Sequence, residues 1–105
     1  MNKGMQKISV KYVRGWEKVQ GLIGKKITPI SFSTRYGIHT FGMQKPIDVL
    51  VLDKHNTVVA MYNQLKPNRI FFWNPRYTRI IELPEGTIQQ KKIHKGESIM
   101  LSPLA

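Results

Sequence analysis

From Gln6 to Val13 the chain alternates, with Ile8, Val10 and Tyr12 set between Lys7, Ser9 and Lys11. A period of two sends one set of side chains to each face, so this stretch predicts a strand with one face buried. Arg14-Gly15 breaks the pattern. Trp16, Val19, Leu22 and Ile23 then recur at helical spacing, which predicts a short helix or a turn-rich corner. Gly21, Gly24 and Pro29 keep it from extending. Alternation returns from Ile30 to Tyr36 and stops at Gly37, before the short segment Ile38-His39-Thr40-Phe41-Gly42-Met43.

Pro46 introduces Ile47-Asp48-Val49-Leu50-Val51-Leu52-Asp53, an almost unbroken apolar run. A run of this kind predicts a central strand covered on both faces. Lys54-His55-Asn56 reads as a turn in which Asn takes a left-handed conformation. Thr57 to Tyr62 reads as the returning strand, so 47–62 predicts a β-hairpin. Residues 66–76 hold Phe71, Phe72 and Trp73 between Pro67 and Pro75, and Tyr77 to Leu83 reads as a further strand. Pro84-Glu85 suits a helix start, with a helical turn running to about Ile93. Gly96 then precedes a last strand from Glu97 to Leu101. Several short strands divided by turn signals predict a mostly β chain, a small barrel- or sandwich-like antiparallel sheet with one or two short helical segments.

Composition narrows the chemistry. A length of 105 residues suits a single domain over 1–105. With no cysteine, disulfides, thiolate nucleophiles and cysteine-ligated zinc are excluded. No run approaches the ~20 apolar residues that span a bilayer, and Met1 to Val13 has no apolar signal-peptide region, so a cytoplasmic location is expected. The net charge is +11, and it is lopsided: residues 1–47 hold nine basic groups and one acid (Glu17), residues 48–105 eight and five. Such an excess suits contact with nucleic acid or another polyanion; a solvated basic surface serving solubility is the alternative.

Four ordered landmarks carry a family resemblance. They are Lys18-Val19-Gln20-Gly21-Leu22-Ile23; Ile38 to Met43 with Pro46-Ile47-Asp48 and the strand ending at Asp53; Val58-Val59 with Lys66-Pro67; and Ile81-Glu82-Leu83-Pro84-Glu85-Gly86-Thr87 followed by Gly96-Glu97. Together, over roughly residues 16–101, they resemble the uncharacterised family called Domain of Unknown Function 192. Ile23 stands where that family usually has Met, and Glu97 where Asp is common. The resemblance implies a small β-rich fold with one short helix, and it implies no reaction.

Two constellations could carry function. His39 and Asp48 form the most suggestive polar pair, since a histidine oriented by a carboxylate can act as a general base, with Thr40, Ser31 or Ser33 completing a hydrolase triad. The structural alternative has Asp48 binding backbone amides and His39 donating one buried hydrogen bond. The segment 68–76 interleaves Arg69 and Arg76 with Phe71, Phe72 and Trp73. Exposed rings beside cations suit single-stranded nucleic acid, whereas a loop folding its rings over the core is the alternative. His39, His55 and His94 are too dispersed to predict a metal site, Gly21 to Gly24 lacks phosphate-loop spacing, and no cofactor is predicted. Lys25-Lys26 and Lys91-Lys92 read as solvated pairs. The reading that follows is a small noncatalytic binding or interaction module, leaning away from an enzyme, with His39, Thr40, Asp48, Glu82, Arg69, Phe72, Trp73 and Arg76 as binding candidates. A nucleic-acid-binding protein and a small hydrolase using His39 and Asp48 are the alternatives.

Overall fold

The computed structural model describes residues 5–13, 28–35 and 37–104. The helical spacing expected at 16–23, the landmark at 18–23 and Lys25-Lys26 lie outside them. The described strands are β1 (Gln6–Tyr12), β2 (Ile30–Ser33), β3 (Ile38–His39), β4 (Ile47–Leu52), β5 (Val58–Leu65), β6 (Ile70–Phe71), β7 (Arg79–Pro84) and β8 (Ile99–Pro103), with one short helix, α1 (Thr87–Lys91). Six strands form a curled half-barrel in the order β5-β4-β7-β2-β1-β8, and β3 pairs with β6 in a second, two-stranded sheet. The mostly β expectation therefore holds.

The expected antiparallel sheet is corrected at one strand. β4 pairs antiparallel with β5 and β7, and β2 with β7, but β1 runs parallel to both β2 and β8. A parallel neighbour requires a long connection from elsewhere in the chain. Alternation within Gln6–Tyr12 records which face is buried and carries no information about the direction of that neighbour. The curl brings the start of β5 against the segment before β8: Val58 N donates to Glu97 O at 2.9 Å, and Gly96 N to Val58 O at 2.8 Å.

Both faces of the half-barrel are apolar. On one, Ile8, Val10, Leu50, Leu52, Ile81 and Leu83 pack with Ile88 and Ile93, so this face is covered by α1 and the loop after it. On the other, Ile30, Phe32, Ile47, Val49, Val51 and Ile80 pack with Ile38 of β3, and Phe71, Trp73 and Tyr77 lie against them. All six residues of β4 are buried, as the unbroken apolar run predicts, because successive side chains serve the two cores in turn.

The β4–β5 turn forms as its sequence predicts. Asn56 takes φ 61°, and Asp53 Oδ1 accepts the amides of His55 and Thr57 at 2.8 and 2.9 Å. The Thr57 bond, above all, holds the Asp53 carboxyl below the usual carboxylate range. The helix start is corrected. Pro84 ends β7, and α1 begins only after Gly86, whose φ of 87° turns the chain. β7 continues to Pro84 because Ile47 pairs with it at the sheet's end.

Candidate functional site

Asp48 is fully buried on β4. Its Oδ1 accepts the Gln64 amide at 2.9 Å and its Oδ2 the Ile88 amide at 2.8 Å. The β4–β5 register shifts between Ile47 and Val49, and Gln64 adopts φ 58°. A bulge leaves an amide without its ladder partner, and Asp48 supplies one. The same carboxylate ties α1 to the sheet. Neither oxygen is spent on His39.

Thr40, 1% exposed, is equally committed. Its Oγ1 donates to Lys66 O at 2.6 Å and accepts the Arg69 amide at 2.9 Å. Its backbone N donates to Arg69 O, and its O accepts the Asn68 amide. These bonds staple the turn at 66–69 onto the segment after β3, which aligns Ile38 with Phe71 and His39 with Ile70. Ser31 is buried on β2 and Ser33 exposed at its end. The structure therefore does not assemble the His39, Asp48 and Thr40 constellation as hydrogen-bonded neighbours.

The two-stranded sheet instead forms a cap on the second core face. Along β6 and beyond it the side chains alternate. Phe71 and Trp73 turn inward, their ring centroids 5.5 Å apart, and Trp73 Nε1 donates to Tyr77 O at 2.7 Å. Ile70 and Phe72 face outward, 54% and 68% exposed. Phe72 and Trp73, adjacent in sequence and both candidate binding residues, thus part to opposite sides. Phe41, 47% exposed, stacks on His39 with centroids 4.7 Å apart and planes 22° apart, and Phe41 N donates to His39 Nδ1 at 3.3 Å.

Phe41, Ile70 and Phe72, with Gly37, Ile38 and His39, line a concavity of about 390 Å³. Gly37 allows it to form. Its φ is 85°, and a Cβ there would lie 2.7 Å from Phe71 O and 2.8 Å from Phe72 Cδ1. The sequence reading missed Phe41 and Ile70; the period-two alternation of Ile70-Phe71-Phe72-Trp73 was the signal that separates inward from outward rings. Arg69 and Arg76 are exposed beside the cap, with Arg76 6.0 Å from the Tyr77 ring centroid. Glu82 is not in the cap. It sits buried on β7 opposite Ile30 and Val49, and burial pushes its carboxyl up to about 7. His55 lies in the β4–β5 turn and His94 beyond α1. Among the described residues no three His, Asp or Glu are grouped to hold a metal ion, and no helix is long and apolar enough to cross a membrane.

A curled six-stranded half-barrel with a two-stranded cap defines a small β-fold class, and solved structures share it. A protein of unknown function from Novosphingobium aromaticivorans superposes with TM-score 0.72 at 13% identity, covering 85% of this chain and 71% of that one. A protein from Sinorhizobium meliloti, provisionally described as a transcription regulator, superposes with TM-score 0.68 at 16% identity, covering 85% and 78%. A UPF0127 protein of Pyrococcus abyssi is 36% identical over 72 residues, 67% of this chain and 61% of that relative's length. Residues 2–101 match the DUF192 family, whose description reads "Uncharacterized ACR", and the chain belongs to that family.

Proposed function

We propose that this protein is a small noncatalytic binding module whose recognition surface is the β3–β6 cap. One observation carries the reading: Phe41, Ile70 and Phe72 remain about half exposed or more around a single concavity, while their neighbours Phe71 and Trp73 pack inward. A cluster of large apolar side chains facing water marks a contact site more often than an isolated one does, and the concavity falls within the ~300–1,000 Å³ range of ligand sites. The noncatalytic part is supported by the commitments of Asp48 and Thr40 to backbone groups.

The test uses 8-anilinonaphthalene-1-sulfonate, an aromatic anion, titrated into isotope-labelled protein. Amide shifts should concentrate at 34–41 and 69–73, and an Ile70→Ser/Phe72→Ala variant should lose them. Shifts concentrated elsewhere would remove the cap as the recognition surface.

A further inference from the structure

We infer that the cap binds single-stranded nucleic acid, holding a base against the aromatic concavity and the flanking phosphates on the exposed cations of the chain stretches that carry β3 and β6. The inference rests on the cap being the binding face and adds the chemistry of its ligand.

Charge is the first support. The two stretches of sequence that include β3 and β6, 34–46 and 66–78, contain no Asp or Glu. They carry Arg35, Lys45, Lys66, Arg69 and Arg76, and all five are exposed. The acidic residues described elsewhere lie on β4, β7, the turn after β4 and the ends of α1 and its loop. A surface with cations and no interspersed acid repels its own kind and attracts a polyanion. Nothing in the fold of the cap requires this one-sidedness, because Thr40 and the backbone hold the cap together.

The second support is the geometry of the rings. Phe41 is covered on one side by the His39 ring and remains half exposed. Phe72, the most exposed large hydrophobic residue described, rims the same concavity. A stacked pair with an open outer ring, lining one concavity with a second exposed ring, offers a planar aromatic ligand what it loses on leaving water. Single strands present such rings unpaired next to phosphates, whereas a duplex hides its base faces. An acidic peptide would satisfy the cations and leave the rings unused.

The experiment measures fluorescence anisotropy of a labelled oligothymidylate of about twelve nucleotides with the full chain across a salt series. Competitors are an abasic strand of equal length, a duplex of equal charge and a polyglutamate. The thymidylate is expected to bind tightest. Its affinity should fall with salt at a log–log slope of roughly −2 to −3.5, corresponding to about three to five phosphates. Phe72→Ala should weaken binding about ten- to hundredfold with the slope unchanged. Arg69→Gln should lower the slope by about 0.7. Both positions are exposed, and unchanged melting curves confirm that each variant folds. Equal binding of the abasic strand or polyglutamate, or full affinity in Phe72→Ala, would overturn the inference. If the sulfonate probe still maps to the cap while oligonucleotides fail to bind, the ligand class is wrong and the binding face stands. If both fail, the binding face is wrong as well.

Discussion

Asp48 and Glu82 are buried carboxyl groups on adjacent strands, one register step apart: Asp48 lies opposite Leu83, and Val49 opposite Glu82. They face opposite sides of the sheet and meet opposite chemistry. Asp48 turns toward α1 and accepts two backbone amides. Glu82 turns toward the cap side, where its neighbours in register are Ile30 and Val49, and burial is what raises its proton affinity. A buried carboxyl that receives hydrogen bonds organises the backbone around it; one whose charged form is disfavoured by desolvation makes stability depend on its proton. The difference shows that burial alone does not define the role of an acidic residue; the donors that the tertiary fold aims at it do.

The comparison breaks most sharply at Asp48. Asp48→Ala leaves the Gln64 and Ile88 amides without acceptors, at roughly 1–3 kcal/mol each, so urea unfolding should register a loss of about 2–6 kcal/mol. Asp48→Asn, which can still accept one of the two, should lose about half as much. A midpoint unchanged by the alanine variant would mean that these bonds are not anchoring the bulge and α1.

Glu82 should show its role through pH. Its folded pKa, about 7, lies above the ordinary 4.5, so between those values the folded state binds the extra proton. Its contribution to stability is therefore full below pH 4.5, declines as pH rises, and is gone above 7, a swing on the order of 3 kcal/mol. Glu82→Gln keeps the shape without the ionisation. It should match the wild type near pH 4 and exceed it at pH 8. Parallel stability–pH curves for the two proteins would refute this account.

Thr40→Val removes a buried hydroxyl that both donates and accepts, an effect of about 1–3 kcal/mol. Because the bonds are confined to the cap, hydrogen exchange should speed at Arg69 and Asn68 while the amides of β4 and β7 stay protected. Equal acceleration in the half-barrel would show that cap and sheet open as one unit. The smallest effect is expected at Phe72. Phe72→Ala should change stability by no more than about 0.5 kcal/mol, as for other exposed positions. A larger loss would recast this ring as part of the core and weaken its reading as a recognition residue.

Much of the β framework was legible in the residues. Alternation located β1 and the start of β2, and the apolar run at 47–52 predicted a strand with two covered faces. Lys54-His55-Asn56 announced its turn, with Asn56 in the left-handed conformation. The candidate site was less legible. His39, Thr40 and Asp48 attracted attention as chemistry, but Thr40 and Asp48 are held by amides 16 to 40 residues away in the chain, which no local pattern encodes. Phe72 was recognised, whereas its partners Phe41 and Ile70 enter only when β3 and β6 pair.

The sequence by itself determined roughly where the strands of the six-stranded sheet fall, that the 47–52 strand is covered on both faces, the excess of positive charge and the family. These are properties of composition and of a two-residue period, and they are set within a few positions along the chain. Only the tertiary structure decided that β1 has parallel neighbours, that Asp48 and Glu82 face opposite sides with opposite partners, and that Phe72 joins Phe41 rather than Trp73. Each of those outcomes depends on which distant segment supplies the next strand or the next N–H group, and that is settled by packing across the whole sheet.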